Sequence, residues 1–238
     1  MIIMAFDSTA KVASVAICDD ERPLAVYNID NGLTQSELLL PMAENMLKSI
    51  KLGFSDVELF ACATGPGSFT GVRIGAALVK GLAFGKDIPC VSVSTLDGLA
   101  ENAAGLSGII VPVMDARRSQ VYTALYFSDG ESTKKLCEDS AISTSELAQM
   151  LRAHEGSPIY LVGDGYSVAK AALDAEGVKT ENTPTLLINE NAYSLAKVAL
   201  RKYRSGEFTP DKQISPTYLR MPQAERERLE KQKAEKKD

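Results

Sequence analysis

Tryptophan is absent from this 238-residue chain, and histidine occurs once, at His154. A Ser-His-Asp triad or a histidine-based metal site would rest on that single imidazole, which stands far from any matching cluster and reads as a surface residue. Cysteine is sparse: Cys18, Cys62, Cys90 and Cys137 are widely separated, with no C-x-x-C spacing. Such residues predict buried, reduced thiols rather than a disulfide framework. No apolar run approaches the ~18 residues of a membrane span. Met1 to Asp7 lacks the basic start of a secretory signal, so a cytoplasmic location is expected. Positive charge is in deficit as well. The formal net charge of −5 argues against a general electrostatic grip on nucleic acid.

What is present is ordinary for a globular protein: 45% hydrophobic and 24% charged residues, enough for one large or two small cores. The distinctive stretch is Gly65-Pro66-Gly67-Ser68-Phe69-Thr70-Gly71. A strand-like run (Val57 to Thr64) enters it and a helix-period run (Thr70 to Phe84) leaves it. A strand, a glycine turn and a helix N-terminus collect backbone N–H groups at one point, a geometry suited to an anion. Asp7, Ser8, Gly65, Gly67, Ser68 and Thr70 are therefore the candidate nucleotide or anion loop. Ser68 or Thr70 is the expected N-cap. The loop matches neither Walker A nor the dinucleotide fingerprint, so a plain βα turn with ordinary caps stands beside the anion reading.

The helix that follows carries Gly71, Gly75 and Gly81. An interior glycine costs roughly 1 kcal/mol against alanine, and close approach by another backbone is the usual offset. Val72, Ala76, Val79 and Ala83 form one stripe, and Gly71, Gly75, Leu78 and Leu82 a second. Two non-polar faces imply packing on the helix's own sheet and on something else.

Along the chain, Ile2 to Phe6, Val12 to Cys18 and Pro23 to Ile29 read as an antiparallel meander. Thr34-Gln-Ser-Glu37 is a capping box that opens a helix to about Ile50. Its apolar residues, including Leu39, Met42 and Met46, cover more than one face. Strands at Val57 and at Cys90 to Val93, and a helix from Thr95 to Ala104, complete a first unit. The pattern then recurs. Ile109 to Met114, Gln120 to Phe127 and Lys134 to Ala141 read as strands. A second capping box, Ser143-Thr-Ser-Glu146, opens a helix, and Ile159 to Val162, Gly163-Asp164-Gly165 and a helix to about Ala175 follow. Asp7 to Glu37 spans 30 residues (37 − 7) and Asp115 to Glu146 spans 31 (146 − 115). Both units read β-β-β-α-β-α, an internal duplication. A long helix is expected over Asn189 to Arg204, packing back on the first unit. Gln223 to Asp238, with six basic and five acidic residues, is expected to be a disordered tail.

Gly65 to Gly71 followed by Val72-Arg73-Ile74-Gly75 resembles the signature of the TsaB family, bacterial subunits of the tRNA threonylcarbamoyladenosine machinery. Asp7-Ser8-Thr9, Ser36-Glu37-Leu38-Leu39-Leu40-Pro41, Asp115-Ala116-Arg117-Arg118 and Pro216-Thr217-Tyr218-Leu219-Arg220 fall where that family has similar segments. The resemblance implies an α/β fold of two tandem RNase H-like lobes, of the actin, Hsp70 and sugar-kinase superfamily. The lobes would cover residues 1–104 and 105–222.

The resemblance also implies a non-catalytic subunit with no metal and no cofactor of its own, with ATP or ADP to be met only at a subunit junction. It would pair with the catalytic paralogue TsaD, be joined by the ATPase TsaE, and form a homodimer when alone. No strong direct tRNA binding and no membrane contact are expected. Leu39, Met42, Met46, Gly71, Arg73, Gly75 and Leu78 are the expected partner face, and Gly75→Glu the variant expected to block pairing without unfolding. TsaD carries paired metal-binding histidines on its first long helix, whereas this chain has Thr34-Gln35-Ser36 there. An ATP-dependent phosphotransferase of the sugar-kinase type remains an alternative. Asp7 and Asp115 would then hold Mg²⁺ or orient a nucleophile, although each aspartate equally suits an Asx turn. A peptidase is disfavoured because no nucleophile-base pair is in order.

Overall fold

The computed structural model describes residues 1–210 and 213–220. The expected tail at 223–238 lies outside them. The first sheet comprises β1 (Ile2–Asp7), β2 (Ala13–Asp19), β3 (Arg22–Ile29), β4 (Leu59–Ala63) and β5 (Cys90–Val93), in the order β3-β2-β1-β4-β5. β1, β2 and β3 pair antiparallel; β4 and β5 join parallel. The helices α1 (Gln35–Ser49) and α2 (Phe69–Ala83) connect them. α1 begins at the foreseen box, where the Glu37 carboxylate accepts from the Thr34 amide (2.8 Å) and hydroxyl (2.6 Å).

Alternate residues of each central strand serve opposite layers, as the two-residue period requires. Met4, Phe6, Phe60 and Cys62 pack under α1 and α2, and Ile3, Ala5, Leu59 and Ala61 face the other way. With both faces covered, β1 and β4 read as continuous apolar runs rather than alternating ones.

The second sheet repeats the plan. β6 (Gly108–Asp115) is central, β11 (Ile159–Val162) lies parallel on one side, and the other side carries two broken strands. The first break divides β7 (Gln120–Thr123) from β8 (Tyr126–Ser128), and the second divides β9 (Thr133–Lys135) from β10 (Ser140–Ser143). Leu125, in the first break, is bonded to the second, donating to Cys137 Sγ and accepting from the Leu136 amide. With each broken pair counted as one strand, both sheets run third-second-first-fourth. The helices α4 (Thr144–Arg152) and α5 (Tyr166–Ala175) cover the outer face. The duplicated β-β-β-α-β-α plan is thus present in both lobes.

Two helices cross between the lobes. α3 (Thr95–Asn102), which follows β5, packs on the second sheet through Leu96, Leu99, Ala100 and Ala103. A single turn, α6 (Thr185–Ile188), precedes α7 (Ala192–Arg204), which lies on the first sheet through Leu195, Ala196, Ala199 and Leu200. α7 begins three residues later than the sequence suggests. Asn191 is its N-cap, accepting from the Tyr193 amide at 3.0 Å. Glu101 of α3 is clamped by Lys197 (2.7 Å) and Arg201 (2.6 Å) of α7.

Candidate functional site

The β1–β2 turn and the β4–α2 loop are built against each other. Ser68 is the N-cap of α2, accepting from the Gly71 amide at 3.2 Å. Its own amide donates to the Thr9 carbonyl at 2.6 Å. The Ser8 hydroxyl donates to the Gly71 carbonyl at 2.8 Å. A Cβ on Gly67 would meet the Thr9 backbone, one on Gly71 the Ser8 carbonyl, and one on Gly75 the Ser8 Oγ at 2.5 Å. The second stripe of α2 therefore packs on a loop of its own chain, and that contact offsets the glycines' helix cost. Gly65 holds φ at +111° beside a cis bond to Pro66. A Cβ there would stand 2.7 Å from the Thr217 carbonyl. Ser68 and Thr70 remain exposed.

The two aspartates make the same turn. Asp7 Oδ1 accepts from the Thr9 amide (2.9 Å) and hydroxyl (2.6 Å), and Asp115 Oδ1 accepts from the Arg117 amide (2.7 Å). Asp115 is exposed, whereas Asp7 is buried. Burial raises the Asp7 carboxyl, opposed by the two Thr9 bonds and reinforced by Asp164. Asp164 is also raised. Water is displaced around it in the crease between the lobes although its side chain still meets solvent. It accepts from the Asp115 amide at 3.0 Å.

Sequence reasoning missed a third acid, Glu190, just before α7. It is 2% exposed, and neither carboxylate oxygen has a hydrogen-bond partner among the described residues. Burial, then Asp7, then Asp164 push its carboxyl far above the ordinary range. No sequence signal marks it, because Asn189-Glu190-Asn191 reads as an ordinary helix start. Among the described residues no group of three His, Cys, Asp or Glu side chains is arranged to hold a metal ion.

The thiols are placed as expected: Cys18, Cys62 and Cys90 are buried and Cys137 half-buried. Burial pushes the Cys18 thiol up to about 12. Among the described residues no helix is long and apolar enough to cross a membrane.

The expected partner face needs correction. Leu39, Met42 and Met46 are 1%, 4% and 0% exposed, because the wide stripe of α1 sits on the first sheet. Gly71 and Gly75 are buried against Ser8, so a glutamate at position 75 would break the lobe rather than only block pairing. Of the residues named from sequence, Arg73 is exposed and Leu78 half-buried. What α2 shows to solvent beside them is Ala77, Gly81 and Phe84. Phe84 is 78% exposed, and none of the described residues lies within 4 Å of a Cβ built on Gly81.

Paired aspartate turns and the duplicated β-β-β-α-β-α plan define an α/β protein of two like-built lobes. The family described as "TsaD: tRNA N6-adenosine threonylcarbamoyltransferase" matches residues 34–228. The tRNA threonylcarbamoyladenosine biosynthesis protein TsaB of Bacillus subtilis (strain 168) is 31% identical over 98% of this chain and 100% of its own. That of Escherichia coli (strain K12) is 28% identical over 92% and 95%. The solved structure of YeaZ from Pseudomonas aeruginosa shares the fold, with a TM-score of 0.75 at 24% identity over 92% of this chain and 99% of that one. The chain belongs to the TsaB proteins of tRNA threonylcarbamoyladenosine biosynthesis, within the wider threonylcarbamoyltransferase family.

Proposed function

We propose that this chain is a non-catalytic subunit that supports threonylcarbamoyl transfer to tRNA adenosine by pairing with TsaD, with TsaE joining the pair. The observation that carries the reading is the exposed strip of α2. Ala77 and Gly81 form a flat path, Leu78 and Phe84 flank it, and no described residue lies within 4 Å of a Cβ built on Gly81. An interior helix glycine costs roughly 1 kcal/mol against alanine, and a second helix lying close over it offsets that cost. Alone, the chain uses the same strip for a homodimer, so the two pairings exclude each other.

Two features support a non-catalytic role. Both aspartates are committed to turn amides. Gln35, at the start of the helix comparable to the one on which TsaD is expected to carry its histidines, donates from its side-chain amide to the Ala10 carbonyl at 2.9 Å, a bond that holds a loop. An adenine nucleotide at the subunit junction would meet the exposed hydroxyls of Ser68 and Thr70.

The test is molar mass in solution, with the chain alone and with equimolar TsaD, for wild type and Ala77→Glu. Wild type should pass from homodimer to 1:1 complex. The variant should remain a folded monomer in both samples. A wild-type monomer indifferent to TsaD would reject the reading and turn attention to ATP hydrolysis that vanishes in Asp7→Ala.

A further inference from the structure

The arginines divide into two groups. Among the described residues, Arg22, Arg152, Arg201 and Arg204 are each ion-paired to a carboxylate. Arg73, Arg117, Arg118 and Arg220 have no such partner among the described residues. Those four stand together although they come from three separate segments.

Arg220 Nη1 donates to the Ala116 carbonyl at 3.1 Å, which ties the C-terminal segment to the β6–β7 hairpin tip. The next residues of that tip, Arg117 and Arg118, are exposed and held at φ 63° and 55°. Two residues before Arg220, the Tyr218 hydroxyl accepts from Arg73 Nε at 2.7 Å. Tyr218 also lies 5.2 Å from Phe69, centroid to centroid. The Arg73 guanidinium sits 3.7 Å over the Phe69 ring. Phe69 and Tyr218 are 39% and 41% exposed.

Four arginines without carboxylate partners among the described residues and two partly exposed aromatic rings therefore form a rim where the β6–β7 tip, the start of α2 and the C-terminal segment meet, on a protein of net charge −5. Of the acids at the hairpin tip, Asp115 has its Oδ1 taken by the Arg117 amide, and Asp164 accepts from the Asp115 amide and feels the charge of Lys11. Guanidinium groups bind phosphate oxygens bidentately. Exposed aromatic and arginine planes give unpaired bases a stacking surface.

We propose that this arginine–aromatic rim contacts a single-stranded part of the tRNA, with the arginines on phosphates and the Phe69–Tyr218 pair against a base. The proposal rests on the tRNA-modification reading above. It fits the negative net charge, because four arginines reach at most about four phosphates. Binding by the chain alone is then weak and steeply salt-dependent, and it becomes effective only when TsaD holds the same tRNA.

The experiment first reads pairing with TsaD by light scattering, without tRNA. It then follows fluorescence anisotropy of labelled tRNA across a salt series, for the paired chains and for the chain alone at low salt. The chains compared are wild type, Arg117→Gln/Arg118→Gln, Tyr218→Leu, and Arg22→Gln as a paired-arginine control. The double variant should pair normally, bind tRNA roughly tenfold more weakly at low salt, and lower the log–log salt slope by about 1.4, from ~0.7 per phosphate on single strands. Tyr218→Leu should weaken binding with the slope kept, and Arg22→Gln should change nothing.

Unchanged affinity and slope in the double variant would overturn the proposal. So would loss of TsaD pairing in that variant, which would assign the rim to an acidic protein surface. If wild type itself does not pair, the subunit reading fails, and the low-salt titration of the chain alone still decides the rim.

Discussion

Gly71 lies directly on the Ser8 carbonyl, and the Ser8 hydroxyl donates back to the Gly71 carbonyl at 2.8 Å. The pair fuses the start of α2 to the end of β1. Ten residues on, Gly81 has open space where its Cβ would be. Gly71→Ala should therefore destabilise the chain by about 1–3 kcal/mol, the usual range for overpacking, despite alanine's better helix propensity. Gly81→Ala should stabilise it by up to about 1 kcal/mol. Urea unfolding of both variants checks the pair, and equal effects would show that local propensity rather than packing governs this helix.

Much of this was legible from residue order. The two capping boxes, the duplicated strand pattern and the glycine turn follow from local chemistry, which acts within a few residues. The partner of a helix face did not follow. The periodicity of Gly71, Gly75 and Leu78 announces a second contact but does not say whether the contacting backbone is the Ser8 loop or another chain. The width of the Leu39, Met42 and Met46 stripe likewise looks the same over a broad sheet as over a docking surface. Glu190 was invisible because its burial is a product of tertiary packing, and the charges that act on it, Asp7 and Asp164, come from other segments of the chain.

Glu101 gives a prediction about how the lobes are joined. It is 5% exposed and receives Lys197 and Arg201 from α7. Burial pushes its carboxyl up, but the hydrogen bonds from Arg201 and Lys197 outweigh this and hold it below the usual value. A depressed carboxylate contributes stability above its unfolded pKa and loses it as pH falls through the folded value. Glu101→Gln should cost about 1–3 kcal/mol at pH 7, discounted because Arg201 is half exposed. Its deficit should shrink as pH drops below about 4.5. Thermal unfolding from pH 3 to 7 reads this, and a deficit that stays constant would assign the loss to shape rather than charge.

The C-terminal segment gives another. Thr209 pairs with Cys90 in both directions, Thr217 donates to the Thr64 carbonyl at 2.7 Å, and Ile214 between them is fully buried beneath the first sheet's outer helices. Ile214→Ala should cost about 2–4 kcal/mol and release the segment that carries Tyr218 and Arg220. Limited proteolysis should then cleave after residue 205 faster than in wild type. If cleavage is unchanged, the backbone pairings alone hold the segment.

Glu190 behaves in the opposite sense to Glu101. Its carboxyl is raised by burial first and then by Asp7 and Asp164, so the folded chain keeps a proton that the unfolded chain releases. A raised carboxylate contributes its full stability below the unfolded pKa and loses it as pH climbs toward the folded value. Glutamine mimics the protonated form at every pH. Glu190→Gln should therefore match wild type in stability near pH 4 and exceed it increasingly toward pH 8. The same comparison in an Asp7→Asn background should show a smaller gap, because one of the charges that raise Glu190 is gone. Chemical denaturation at four or five pH values measures both gaps. A Glu190→Gln advantage independent of pH would mean that Glu190 titrates alike in the folded and unfolded chains, and that burial and the two aspartates do not raise it.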